Sequence, residues 1–167
     1  LAERVIDLAE IPVADPDLRV LEPSAGTGAL IEAMNFCGGT LVAVEINVSL
    51  AESLRQRFQA VDVRCSDFLS CNGDLGTFDR IIMNPPFQNG ADIEHIEHAR
   101  KFLKPGGRLV AICANGPRQR ERLMSEADEW IDLEPGTFKE SGTMVNAALL
   151  VFVRPADDSL DLWNSIR

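Results

Sequence analysis

An α/β fold built on a mostly parallel sheet follows from three features of this 167-residue sequence. Short apolar segments of strand length alternate with segments of helical periodicity along most of the chain. The first strand runs into a glycine turn, Glu22-Pro23-Ser24-Ala25-Gly26-Thr27-Gly28, that opens directly into a helix. A later strand, Phe78 to Met83, stops abruptly at Asn84-Pro85-Pro86-Phe87. Proline has no N–H to give a ladder, so this turn cannot continue a sheet interior. Parallel strands joined through helices are covered on both faces, and their apolar runs read as fully buried.

Taken in order, Leu1 to Ile11 has the spacing of an amphipathic helix, with Val5, Leu8 and Ile11 on one face and Pro12 and Pro16 ending it. Leu18 to Leu21 is the first strand, and Ala29 to Phe36 the helix after the glycine turn. Gly26 and Gly28 let a backbone approach a ligand closely, and the helix start offers free N–H groups. Leu41 to Ile46 is the second strand, and its Glu45 lies 17 residues beyond Gly28, near where an acid grips ribose hydroxyls in nucleotide-binding α/β folds. Ser49 to Phe58 is a helix and Val61 to Cys65 a strand, followed by Asp67-Phe68. After Phe78 to Met83 comes a helix marked by Ile93, Ile96, Ala99, Phe102 and Leu103, running to Pro105. Gly106-Gly107 turn into strand Arg108 to Cys113, and Gly116-Pro117 open a charged helix to about Glu129. Trp130 to Leu133 and Val145 to Val153 are two strands with no helix between them, so they form a hairpin with one strand antiparallel to the rest. Phe138 to Thr143 is a polar loop, and an acidic tail carries a short helix at Leu160 to Ile166. The expected division is one domain, residues 1–154, and a C-terminal tail, 155–167. The start at Leu1, inside a helical pattern, reads as a fragment.

Composition narrows the function. Hydrophobic residues make up 46% of the chain and mean hydropathy is -0.01, as in a globular domain. No apolar run spans a bilayer and no signal pattern opens the chain, so no membrane role and a cytoplasmic location are expected. The formal net charge of -10 opposes tight autonomous binding to a phosphate backbone. Cys37, Cys65, Cys71 and Cys113 form no C-x-x-C pair and read as free, packed thiols. His95 and His98 are three apart beside Glu94 and Glu97; with no further ligand cluster they read as a solvated helix face, and no metal is expected. Arg118, Arg120 and Arg122 follow the fifth strand and stand either toward phosphates or on an ordinary charged helix.

The glycine turn does not fit a dinucleotide dehydrogenase, because Ile31 stands where the third small residue of G-x-G-x-x-G belongs. Glu22 through Gly28, Glu45, Asp67-Phe68 and Asn84 through Phe87 instead fall at the ends of four consecutive strands. This constellation resembles the class I S-adenosylmethionine-dependent methyltransferases, and among them the amino-methyltransferases that modify adenine N6 in DNA, phage and plasmid types included. The resemblance covers Leu1 to about Val153. It implies a Rossmann-like, seven-stranded sheet with S-adenosyl-L-methionine across its C-terminal edge. By that resemblance Glu22, Pro23, Ser24, Ala25, Gly26 and Gly28 surround the methionine part. Glu45 holds the ribose, Ile46 packs on adenine, Asp67 bonds its amino group, and Phe68 lies beside the ring. Asn84, also next to the cofactor, and the Pro85 carbonyl hold the target amine. Pro86 stiffens the turn, and Phe87, an exposed ring, stacks on the target base. The common aromatic at position 87 is Tyr, so Phe keeps the stacking and loses a hydroxyl. The expected partner is nucleic acid, DNA ahead of RNA, reached through an additional domain or partner. Other targets of the same turn are an RNA base (adenine N6 or guanine N2) and a protein glutamine; a non-catalytic binding domain on the same fold is the remaining alternative.

Overall fold

A computed structural model describes residues 1–12, 14–35, 38–137 and 145–156. Its strands are β1 (Arg19–Glu22), β2 (Thr40–Glu45), β3 (Asp62–Cys65), β4 (Phe78–Met83), β5 (Leu103–Ala114), β6 (Glu129–Asp132) and β7 (Ala147–Val153). They form one seven-stranded sheet in the order β3-β2-β1-β4-β5-β7-β6. β1 to β5 pair in parallel, whereas β7 runs antiparallel to both β5 and β6. This is the Rossmann-like sheet with a reversed C-terminal strand that the sequence implies.

Alternation along the buried strands sends successive side chains to opposite faces. On one face Val20, Ala43, Ile82 and Val110 meet Val5 of α1 (Ala2–Ala9), Leu30 and Ile31 of α2 (Ala29–Met34), and Leu54 of α3 (Val48–Arg57). On the other face Leu21, Val44, Ile81, Met83 and Leu109 meet Ile93, Ile96 and Ala99 of α4 (Ala91–Arg100). Leu123, in the turn that follows the short α5 (Pro117–Gln119), packs on that second face. None of the helices among the described residues is long and apolar enough to cross a membrane.

Two elements are shorter than their sequence patterns. The helix expected to reach Pro105 ends at Arg100, because the Phe102 carbonyl accepts from the Phe78 N–H and draws the chain into the sheet. Leu103 then pairs with Phe78, and the register shifts before Arg80 pairs with Arg108. Pro105 sits in that irregular stretch, where its missing N–H breaks no regular ladder. The helix expected to run to Glu129 stops at Met124 after one π-type turn. There the Asp128 N–H turns to the Val151 carbonyl and Glu129 pairs with Val151, so the sheet captures the segment. The proposed loop Phe138 to Thr143 and the tail helix Leu160 to Ile166 lie outside the described residues.

Candidate active site

Parallel pairing brings the C-terminal ends of β1 to β4 to one edge, the place where open α/β sheets take ligands. A cavity of about 430 Å³ opens there, lined by Pro23, Ser24, Val44, Glu45, Ile46, Ser66, Asp67, Phe68, Asn84, Pro86 and His95. That volume lies in the usual range for small-molecule sites, roughly 300–1,000 Å³.

The glycine turn forms one end of the site. The Ala25 N–H donates to the Val44 carbonyl at 3.1 Å, and the Gly28 N–H to the Ala25 carbonyl at 2.8 Å. The two glycines differ in purpose. Gly26 has φ +54°, and a Cβ there would meet nothing within 4 Å, so its open side is available to a ligand. Gly28 has φ +84°, and a Cβ would come within 2.7 Å of Leu54 and Phe58, so here glycine permits close packing of the turn against α3.

Glu45 joins the turn to β2. One carboxylate oxygen accepts from the Gly26 N–H at 2.7 Å and the other from the Asn47 N–H at 2.8 Å. Each oxygen retains a lone pair for a ligand hydroxyl. Asp67 is held similarly, accepting from the Leu69 N–H at 3.1 Å and the Ser70 hydroxyl at 3.0 Å. Ile46 is 67% exposed, an unusual state for isoleucine, and it lines the cavity as an apolar platform.

Glu22 lies behind the glycine turn, 1% exposed, and its Oε2 has no hydrogen-bond partner. Burial, with Glu45 nearby, pushes its carboxyl up to about 8. Glu22 lies outside the cavity lining and holds its proton near pH 7, and a positive group brought close by a ligand would favour its ionised form and supply the missing partner. The donor set fits S-adenosylmethionine in three ways: acids toward a cation, paired acceptors at Glu45, and an exposed apolar side chain at Ile46.

On the other side of the cavity Asn84 is exposed and makes no hydrogen bond to a described residue, while Pro85 is buried and Pro86 lines the wall. Phe87 differs from the expected exposed ring. It has helical dihedrals (φ -86°, ψ -15°), is half-buried, and packs toward the face of Ile82 and Val110 instead of lining the cavity. The chain curls there to begin the short turn into α4, which carries the ring toward the apolar layer.

The histidines also depart from a solvated helix face. The His95 Nδ1 is 3.4 Å from the Ser24 hydroxyl, and the His98 Nε2–H donates to the Cys71 carbonyl at 3.0 Å. Both rings lie near the buried Phe68, His98 edge-on at 4.9 Å and His95 tilted at 5.9 Å. Burial holds both imidazoles below their usual value, so they are neutral near pH 7. Val44, Ser66 and His95 line the cavity and were missed by sequence reasoning; of these His95 carries a titratable ring. The available signal was its place in the first turns of the helix after Asn-Pro-Pro-Phe. Among the described residues no group of three or more His, Cys, Asp or Glu is arranged to hold a metal. Cys65 is exposed instead of packed, Cys71 is half-buried, and Cys113 is buried with its thiol pushed up to about 12 by desolvation. Cys37 lies outside the described residues.

A second cavity, about 470 Å³, lies between α4 and the turn after α5. Four of its charges pair with one another, Arg122 with Glu97 at 2.7 Å and Arg100 with Glu126 at 2.6 Å.

The sequence model of the methyltransferase small domain matches residues 8–130. Ribosomal RNA small subunit methyltransferase C of Chromohalobacter salexigens is 30% identical over 66% of this chain and 36% of its own length. Release factor glutamine methyltransferase of Bradyrhizobium diazoefficiens is 26% identical over 93% of this chain and 57% of its own. The chain thus spans about a third to three fifths of these two relatives. TrmN from Thermus thermophilus shares the fold, with a TM-score of 0.73 at 19% identity over 92% of this chain and 48% of that one.

Proposed function

The chain belongs to the methyltransferase small domain family, whose donor is S-adenosylmethionine, and on that footing we propose that it methylates an exocyclic amine of a nucleic-acid base, adenine N6 first. The observation that carries this reading is the Asn84 amide, which has no hydrogen bond to a described residue at the end of β4 and lines the acid-bearing cavity.

When bound, the cofactor supplies a methyl group already activated on a sulfonium sulfur. Glu22 and the glycine turn take its cationic methionine end, Glu45 accepts from the ribose hydroxyls, and Asp67 and Ile46 bound the adenine. Asn84 and the Pro85 carbonyl accept the two N–H bonds of the target amine. An aromatic amine is a weak nucleophile because its lone pair is delocalised, and two fixed acceptors favour the pyramidal nitrogen that releases it. They also stabilise the positive charge that grows on nitrogen as the N–C bond forms and the S–C bond breaks. The surplus proton then leaves to solvent. Orientation accounts for much of the remaining acceleration. A paired base must be flipped out to enter; a single-stranded one need not be.

The motif resemblance puts DNA first, whereas the relative from Chromohalobacter carries ribosomal RNA in its name. The reading therefore takes the base amine as the common target, in either strand type. A glutamine amide is the second reading. It gains from the Phe87 ring, which is half-buried away from the cavity and so selects less strongly for a planar base. The relative from Bradyrhizobium is named for that substrate.

The test is incubation with methyl-labelled S-adenosylmethionine and separate RNA, DNA and protein pools, followed by digestion to nucleosides. N6-methyladenine supports the reading. A 5-methylpyrimidine, or label in protein alone, overturns it.

A further inference from the structure

The three arginines after β5 separate in the fold. The Arg120 Nη2 donates to both oxygens of Asp132, at 3.0 and 3.1 Å, and its guanidinium lies 5.9 Å from the Trp130 ring centre. The Arg122 Nη2 donates to Glu97 at 2.7 Å. Arg118 has no hydrogen bond or ion pair to any described residue, and it is exposed. Its Nη1 lies 3.6 Å from where a Cβ would stand on Gly90, so the guanidinium rests against the turn that carries Asn84 to Phe87 into α4.

A buried clasp holds it there. Asp92, fully buried in the first turn of α4, accepts from the Ala114 N–H at 2.8 Å and from the Gln119 amide at 3.1 Å with each oxygen. Gln119 itself is 7% exposed. The end of β5, α5 and the start of α4 are thus tied together one residue from Arg118. Several other cations on the described surface are engaged within the protein. Arg57 meets Glu32, Arg64 meets Asp62, Arg80 meets the Glu10 carbonyl, and Lys104 meets Asp79. Lys101 and Arg4 also have no hydrogen bond or ion pair to a described residue, but they lie at the far end of α4 and on α1, away from the Asn84 turn. An exposed guanidinium without a partner among the described residues, resting against the turn that follows Asn84 to Phe87 in a chain with net charge -10, is placed for an anion brought by the substrate.

We propose that Arg118 binds a backbone phosphate next to the base whose amine enters the Asn84 pocket. This rests on the nucleic-acid reading above. The planar fork of arginine matches phosphate oxygens two at a time. Such a contact sets the position of the strand without reading its sequence. It also explains how an acidic chain keeps a strand in register at its active site while binding it weakly overall.

The experiment compares the parent protein with Arg118→Ala and Arg118→Lys on short adenine-containing RNA and DNA oligonucleotides, with labelled S-adenosylmethionine, over a series of salt concentrations. Arg118→Ala is expected to raise KM for the oligonucleotide about tenfold, to leave kcat within about twofold, and to flatten the dependence of log KM on log salt by about one contact. Arg118→Lys should restore part of the affinity. Cofactor affinity and melting temperature should match the parent, which separates lost contact from lost fold. Unchanged KM and salt slope in Arg118→Ala, on an oligonucleotide the parent methylates, would overturn this proposal alone. Transfer by the parent to protein only would overturn the nucleic-acid reading and this proposal together.

Discussion

The two walls of the cavity are built on opposite principles. On the cofactor wall the polar side chains are already engaged with protein: Glu45 with Gly26 and Asn47, Asp67 with Leu69 and Ser70, Ser24 with His95. On the proposed target wall Asn84 has no hydrogen bond to a described residue, and neither does Arg118, which lies outside the cavity lining against Gly90. A side chain fixed by the protein's own donors is already oriented when its ligand arrives, so little ordering entropy remains to be lost on binding. An exposed side chain without a protein partner is met by water until the substrate displaces it, and its contact gains most when charge develops there during reaction. The first arrangement suits a ligand that is the same in every cycle. The second suits a group that changes as it reacts.

The contrast predicts that damage to the walls falls on different quantities. The largest effect is expected from Asn84→Ala, with kcat falling roughly a hundredfold or more while the calorimetric affinity for the cofactor holds. A parallel loss of both would erase the distinction between the walls. Glu45→Ala should act on the other side, weakening cofactor binding by about 1–3 kcal/mol through the lost ribose contacts. It should also lower the melting temperature, because the Gly26 and Asn47 N–H groups lose their acceptor. Cofactor affinity that stays level while only the melting point drops would mean that Glu45 serves the turn and not the ligand.

The smallest effect concerns Glu22 in the ligand-free protein. Its carboxyl titrates near 8 when folded, against 4.5 as the ordinary value. The folded chain therefore holds a proton there that the unfolded chain has released, across the window between those values. Stability from this group is full below about 4.5 and is lost as pH rises through about 8. Glu22→Gln should flatten that decline by a few degrees in melting temperature, where each kcal/mol is worth roughly 2–4 °C for a chain of this size. An identical slope in the variant would show that Glu22 is not the group responsible.

What could be read from the sequence were features encoded locally. The apolar runs, the glycine turn and the two prolines after Met83 each restrict the backbone by themselves, and β1, β2, β3, β4 and β7 lie close to where those patterns put them. The misreadings arose where a partner distant in sequence decides. Phe102 and Leu103 have helical spacing from Ile96 and Ala99, but Phe78, 24 residues earlier than Phe102, takes them into the sheet. The helix begun at Pro117 yields to pairing with Val151. His95 and His98 look solvated beside Glu94 and Glu97 until Phe68, Cys71 and Ser24 are brought against them. Arg118, Arg120 and Arg122 are indistinguishable in the sequence, and only Asp132 and Glu97 separate them.

The position of β7 has a consequence for how this chain reaches its folded state. Among the described residues β7 is the last strand in sequence, yet it lies between β5 and β6, and six of its seven residues are buried. The block from β3 through β5 can pair as soon as it is made. Among the described residues β6 has no other strand to pair with, and β5 keeps an apolar edge uncovered until Ala147 to Val153 arrives. During synthesis this exposed edge can template pairing with another chain. The edge that carries the candidate site is complete in outline before β7 docks, so any delay in closure at β7 is where misassembly would concentrate.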